Sequence, residues 1–295
     1  MTAAARMREL LRRGGMIVAP GAYDCITARL IERAGFDAVY MTGAGTAATL
    51  GYPDFGLVTM SEMVGNGRRI ATAVGLPVIA DADTGYGNEL NTVRTVREYE
   101  GAGVAGIHIE DQGFPKKCGH LDDKEIVPRE EWLAKSRAAA AARRTPDFLV
   151  IARTDARAVA GFDEAIARAN LALGAGADMA FVEAPQTVDE VAAVPRLVSG
   201  PCLLNVVRGG KTPDLDLGDA EGMGYKLAIV PGMLIKSIVG VCEEMLAELK
   251  VTRHHPAPVK EMTVRETFQL WGADEWDALR HQFRDPVPAK RNAAE

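Results

Sequence analysis

Carboxylates and hydroxyls recur in this chain where short apolar runs stop, and their types suit chemistry on an oxygen-rich substrate. Residues 81–88 read DADTGYGN. Asp81 and Asp83 stand two apart, so on a strand both side chains would point to one side. With Glu110 from the next apolar run they form a hard-oxygen set suited to Mg²⁺, with Mn²⁺ a substitute of similar taste; such ions take one or two carboxylates plus waters and substrate oxygens. Without an ion, three such groups would raise one another's pKa. Residues 39–51, VYMTGAGTAATLG, are small and Gly-rich. Thr42 with the amides of Gly43 and Ala44 is expected to form a nest for a carboxylate or an oxyanion. Opposite a divalent ion, that nest would hold a 2-oxo acid or enolate, and Arg153 would add a planar fork for a second carboxylate.

A second chemical signal is the thiol in DQGFPKKCGH (111–120), a segment too polar to be core. Cys118 there reads equally as a metal ligand, a redox group or a proton-transfer group.

These residues need a frame that brings them to one place. Eight apolar runs, at 16–20, 37–43, 76–83, 104–111, 148–156, 178–185, 201–207 and 225–232, alternate with helical stretches. The runs are nearly continuous rather than alternating, the pattern of parallel strands buried on both faces. Several helices end in Gly directly before a run, as in RAGFDAV and GAGVAGI. Eight such units predict a closed (β/α)8 barrel of the TIM type over residues 1–250. Residues 251–295 are expected to form a Pro-containing linker and one amphipathic helix carrying Trp271 and Trp276. In such a barrel the active site lies at the C-terminal strand ends. Those ends hold Thr42, Asp81, Asp83, His108, Glu110, Asp111, Arg153, Asp155, Glu183 and Asn205. Singly, Asp155 reads as a helix cap and Asp111 as a partner for a nearby lysine.

Composition narrows the alternatives. An apolar fraction of 47% over 295 residues is ample for a core, and a net charge of −6 with no basic block argues against nucleic acid. No stretch reaches the ~18–20 apolar residues of a membrane span. Cys25, Cys118, Cys202 and Cys242 lack CxxC spacing, which disfavours zinc or a disulfide scaffold. MTAAARMRELLRRGG reads as a short amphipathic helix rather than a signal peptide. The expectation is a cytoplasmic protein with reduced thiols. No GxGxxG follows the first run, and no Walker A sequence occurs.

APGAYDCITARLIERAGFDAVYMTG, GYPDFGL, DADTGYGN, GIHIEDQ, KKCGH and IARTDA together resemble the isocitrate lyase and phosphoenolpyruvate mutase superfamily. The similarity, over roughly residues 8–250, is to its short-chain branch: 2-methylisocitrate lyase, 2,3-dimethylmalate lyase, the petal death protein and carboxyphosphonoenolpyruvate mutase. The resemblance implies a Mg²⁺-dependent barrel enzyme, assembled as a homotetramer of paired subunits that swap a C-terminal helix. It implies that Thr42, Gly43 and Ala44 hold the 2-oxo-acid carboxylate. Asp81, Asp83, Glu110 and, through water, Asp54 would form the metal shell. Tyr40, His108, Arg153, Glu183 and Asn205 would line the substrate pocket, and KKCGH would sit on a gating loop. Two positions depart from the pattern. Thr42 replaces a usual Ser, and Arg208 stands where relatives often have Glu, which bears on the substrate's distal group.

The expected reaction is retro-aldol cleavage of a 2-hydroxy dicarboxylate to pyruvate or a similar 2-oxo acid plus a carboxylate. Cys118, mostly protonated with an ordinary thiol pKa of about 8.5, would protonate the departing carbanion. Lys116, Lys117 and His120 are expected to stabilise the resulting thiolate. Tyr40, His108 and Glu183 are candidate acceptors of the 2-hydroxyl proton. Rival readings are carboxyphosphonoenolpyruvate phosphonomutase, oxaloacetate hydrolase or decarboxylase, and a barrel that binds a 2-oxo acid without turnover.

Overall fold

The structure is a computed structural model, and it describes residues 1–284. Eight parallel strands close into a barrel: β1 (Ile17–Ala22), β2 (Val39–Met41), β3 (Val78–Asp81), β4 (Gly106–Glu110), β5 (Leu149–Thr154), β6 (Met179–Val182), β7 (Cys202–Asn205) and β8 (Leu227–Val230). Each pairs with its sequence neighbours, and β1 meets β8 with Ile17 opposite Leu227. The expected (β/α)8 barrel is therefore present.

Alternate strand residues fill the interior: Tyr40, Ile79, Ile151, Met179, Phe181, Leu203 and Ile229 form one buried cluster. Met7 and Leu10 of the helix Ala3–Arg12 join it, so this amphipathic N-terminal helix plugs the barrel floor. Between strands and outer helices lie two further clusters, one around Trp132 and Tyr99 and one around Val191 and Tyr225. The helix-terminating glycines behave as their sequence context predicts. Gly103 and Gly176 take φ of 86° and 106° just past their helices, a conformation costly for residues bearing a Cβ.

The strands are shorter than the apolar runs, and this relocates the polar residues that follow. Val39–Met41 gives way at once to a helix, Gly43–Thr49, capped by the Thr42 side chain. The Gly-rich segment read as a nest is thus a helix start. β3 stops at Asp81, and Asp83 lies in the turn beyond it with φ of 45°. Its side chain is placed by that left-handed turn, not by strand alternation.

The chain divides into two compact units, Met1–Val239 and Gly240 onward, the division falling within the helix Met233–Thr252. In the second unit, the single amphipathic helix expected is two helices, Val264–Gln269 and Ala273–Arg284. They are separated at Gly272 (φ 88°), with Trp271 in the break and Trp276 on the latter helix. The remainder of the expected 251–295 extension, 285–295, lies outside the described residues. No helix among the described residues is long and apolar enough to cross a membrane.

Candidate functional site

At the C-terminal ends of the strands lies a cavity of about 380 Å³. Its floor is made by strand ends: Tyr40, Asp81, Arg153, Glu183 and Asn205 all line it. Thr42 and Ala44 line one side from the helix start, and Gly43 between them packs against the Asp81 carboxylate. Cys118 and His120 line it from above, on the segment between β4 and the helix Arg129–Ala142.

That segment is a flap folded back over the barrel mouth. An antiparallel bridge of Gln112 with Ile126 stitches its base, helped by Gly113 N–H to the Glu125 carbonyl (2.9 Å) and Val127 N–H to the Asp111 carbonyl (2.9 Å). Further out, Gln112 clasps Lys117 through both backbone groups, and the Cys118 N–H donates to the Asp54 carbonyl at 3.1 Å.

Behind one wall sits an acid-rich cluster. Asp81 accepts the Asp83 N–H at 3.0 Å and lies 3.3 Å from the Tyr40 hydroxyl, which also meets His108 Nε2 at 2.8 Å. Burial pushes His108 down to about 4, so its imidazole is neutral at pH 7. Burial alone would raise Asp81, but neighbouring positive charge overcomes it and holds the carboxyl at about 2. The largest pull is that of His108 in its charged form, followed by Lys116 and Arg153. Burial, with Asp81 and Asp54 alongside, pushes Asp83 up to about 6 against the pull of Lys116. The Lys116 amine pairs with Asp54 and lies 2.6 Å from Asp83 Oδ1, an ion pair without hydrogen-bond alignment. Burial disfavours its charge, yet Asp83, Glu110, Asp54 and Asp81 keep it protonated. Glu110 is fully buried and neither of its oxygens has an aligned hydrogen bond; Arg153 Nη1 stands 3.1 Å from Oε2. Burial raises its pKa strongly. Asp83, Glu110, His108 and Lys116 are therefore brought to the site but lie behind the cavity lining. Among the described residues, no three ligating side chains stand close enough to cage an ion on their own.

The neighbouring wall, on β5 and β6, is charge-matched. Arg153 donates through Nε (2.9 Å) and Nη2 (3.3 Å) to Asp155, approaches Glu183 Oε2 at 3.5 Å and lies over the Phe181 ring. Its fork is thus largely engaged by protein carboxylates. Asp155 caps no helix: its carboxylate binds Arg153 and Lys124. Asp111 takes no lysine; it accepts from Thr154 (2.7 Å), the Asp155 N–H (2.8 Å) and Arg168 (3.2 Å). His120 Nδ1 accepts the Lys211 N–H at 3.0 Å. The neutral ring therefore carries its proton on Nε2, 3.1 Å from Glu183 Oε1. Burial would raise Glu183, and Arg153 and His120 bring it below the usual carboxylate range instead. Asn205 also donates to Glu183, leaving its own Oδ1 buried without a partner.

Two expectations change. Burial, reinforced by Asp54 and Glu183, pushes the Cys118 thiol up against a backbone hydrogen bond from His120, while the Lys116 and His120 side chains are spent on carboxylates. Arg208 is exposed and outside the cavity lining; only its carbonyl is engaged, by Lys236 at 2.8 Å. Apolar lining comes from Leu121, Val207 and Ile235, beside which Lys236 adds a cation. Lys124 was not legible beforehand, since LDDKE reads as a solvated charge run, and neither spacing nor periodicity marks one lysine in it as buried.

Comparison with known proteins matches this geometry. The family described as phosphoenolpyruvate phosphomutase matches residues 7–250. A 2,3-dimethylmalate lyase of Eubacterium barkeri is 53% identical over 232 residues, which is 78% of this chain and 80% of that one. A solved 2,3-dimethylmalate lyase, a PEP mutase/isocitrate lyase superfamily member, superposes with a TM-score of 0.91 at 39% identity, covering 98% of this chain and 99% of the other. An oxaloacetate acetylhydrolase in complex with the inhibitor 3,3-difluorooxalacetate does so with a TM-score of 0.92 at 35% identity, covering 97% and 99%. This chain belongs to the PEP mutase/isocitrate lyase superfamily and is an enzyme of that superfamily.

Proposed function

We propose that the protein is a Mg²⁺-dependent carbon–carbon lyase that cleaves a 2-hydroxy dicarboxylate of the 2,3-dimethylmalate type to pyruvate and a short carboxylate. The observation that carries this reading is the meeting of Cys118, an acid-rich cluster and a helix start around one cavity, in a chain 53% identical to a 2,3-dimethylmalate lyase.

The residues present fit the ion. The donors are hard oxygens, and Glu110 keeps two buried oxygens without aligned hydrogen bonds. Asp81, Asp83 and Glu110 would hold the ion, with Asp54 reached through water, and water and substrate oxygens would complete its shell. When bound, it would supply Lewis-acid stabilisation of the oxygen that becomes the 2-oxo group.

The chain's own groups do the rest. Thr42 with the Gly43 and Ala44 amides holds the 2-oxo-acid carboxylate at the helix start. The 2-hydroxyl proton is taken either by Tyr40, with His108 behind it at 2.8 Å, or by Glu183 as the C2–C3 bond breaks and C2 becomes a carbonyl. The electron pair left on C3 takes the proton of Cys118, whose raised pKa keeps it protonated until that moment. Arg153 and Asn205 orient the second carboxylate, and Lys236 adds a cation at the rim. The apolar lining of Leu121, Val207 and Ile235 favours a methyl-bearing dicarboxylate over a tricarboxylate such as 2-methylisocitrate, and Arg208 offers no cation there.

Pyruvate release by purified protein with Mg²⁺ tests this on 2,3-dimethylmalate, 2-methylisocitrate and oxaloacetate. Turnover of the first is expected, and absence of pyruvate from every lyase substrate would overturn the reading. Cys118→Ser is expected to lower kcat by ~10²–10⁴-fold; unchanged turnover beside an inactive Asp83→Ala would remove the acid role and keep the metal role. Exposed Leu246, Val251, Phe268, Trp276 and Phe283 in the second unit support assembly into a tetramer. Sedimentation velocity checks that point.

A further inference from the structure

Lys124 is a buried lysine in an exposed stretch of the flap; Leu121 to Asp123 before it and Glu125 after it are exposed, and Lys124 is 8% exposed. Taking an ammonium out of water costs several kcal/mol unless charge and hydrogen bonds replace the lost hydration. Both are provided. Its Nζ donates to the Gly119 carbonyl and, at 2.7 Å, to Asp155 Oδ1. The same Asp155 carboxylate grips Arg153 through two guanidinium nitrogens. One ammonium thus joins the backbone between Cys118 and His120 to the carboxylate that aims Arg153. From the other side, Gly119 rests directly on the Arg153–Glu183 pair: a Cβ there would lie 2.5 Å from both Arg153 Nη2 and Glu183 Cγ. Asp155 is fixed in turn, since its N–H donates to Asp111, which Thr154 and Arg168 hold. Lys124 itself is not among the residues lining the cavity.

We infer that Lys124 is a positioning residue: through the Gly119 carbonyl and Asp155 it sets Cys118 and His120 in register with Arg153 and Glu183. The inference rests on the proposed function only for its effect on turnover, because the placement of Cys118 can be measured without substrate.

The test is iodoacetamide labelling of the full-length protein, with each thiol mapped by mass spectrometry. Exposed Cys242 reports reagent activity and buried Cys202 reports an intact barrel. Lys124→Met frees the Gly119 carbonyl, so Cys118 labelling is expected to rise about fivefold or more while Cys202 stays protected. In the pyruvate assay kcat is expected to fall by ~10²-fold with KM within about threefold, the signature of a displaced acid with binding retained. Lys124→Gln, which keeps a donor and drops the charge, should fall between the two and serves if the methionine variant does not fold. Cys118 labelling unchanged in both variants overturns the inference. So does parallel labelling of Cys118 and Cys202, which would make Lys124 a stability residue only. Faster Cys118 labelling with kcat intact would support the placement by Lys124 and overturn the acid role given to Cys118.

Discussion

Two charged regions stand side by side at the cavity, meeting where Arg153 pairs with Glu110, and they are balanced differently. On the side of β3 and β4, Asp54, Asp81 and Asp83 gather round the ammonium of Lys116, and Glu110 also meets Arg153 Nη1 at 3.1 Å. On the side of β5 and β6, Asp111, Asp155 and Glu183 are matched by Arg153, Arg168 and Lys124, each in direct contact with a carboxylate. Buried charge is tolerated when partners and hydrogen bonds replace water, so the second region is complete as it stands. The first retains buried oxygens without aligned partners at Asp83 and Glu110. Surplus negative charge in one region marks where a cation and a substrate oxygen enter; closure in the other marks a scaffold. Removing a carboxylate from the first should therefore cost chemistry, whereas removing the charge of Asp155, which holds the second together, should cost fold stability.

The largest expected effect follows directly. Asp81→Ala takes away the cavity-facing carboxylate of the unbalanced side and is expected to reduce turnover on the order of 10³-fold. Mg²⁺ affinity, read by isothermal titration, should fall with it while the urea midpoint moves little. A variant that binds Mg²⁺ as the parent does would remove Asp81 from the metal shell. In the matched region, Asp155→Asn breaks a fully buried pair and is expected to destabilise the protein by about 3–5 kcal/mol in urea unfolding at pH 7. The pH dependence carries a definite sign. Burial would raise Asp155, but Arg153 and Lys124 hold its carboxyl at about 2, below the ordinary 3.8. A depressed folded-state pKa contributes stability above the unfolded value and loses it as pH falls through the folded one. The difference between parent and Asp155→Asn should therefore persist down to pH 4 and shrink between 4 and 2.

Mg²⁺ itself should sharpen the contrast. An ion that binds only the folded state at a hundredfold excess over its Kd adds about 2.7 kcal/mol of stability. Thermal unfolding with Mg²⁺ or with chelator is expected to show that increment in the parent and to lose it in Asp83→Ala. Asp155→Asn should retain it, since the scaffold side holds no part of the ion's shell. Equal loss in both variants would mean that the two regions act as one.

What could be read in advance follows the same division. The barrel was legible because eight apolar runs and their Gly-ended helices are local patterns, and Asp81, Glu110 and Arg153 stand where those runs stop. The approach of Cys118 to Asp54 depends on how the flap folds back, which spacing along the chain does not encode. Asp83 was found for the wrong geometric reason, since its turn and not its strand places it. Asp155 and Asp111 each admitted a bland local partner, and only the tertiary pairing of β4 with β5 shows them bound to Arg153 and Arg168. Lys124 was hidden because burial of a lysine is decided by carboxylates 31 positions away, at Asp155.

The smallest expected effect concerns the position where charge looked most consequential. Arg208 carries a positive charge three residues beyond Asn205, so a charge-reading substrate pocket should respond strongly to Arg208→Glu. The structure argues otherwise: the side chain is exposed, outside the lining, and only its backbone carbonyl is used, by Lys236. A backbone contact survives any substitution, and an exposed charge is screened by water and salt within about 10 Å. Arg208→Glu is therefore expected to change KM for 2,3-dimethylmalate by less than about threefold and to leave the preference over 2-methylisocitrate in place. Lys236→Met, which removes a cation lining the rim, should raise KM more than Arg208→Glu does. Initial rates on both substrates check the pair, and a tenfold KM change in Arg208→Glu alone would place that guanidinium on the substrate and end the case built on the apolar lining.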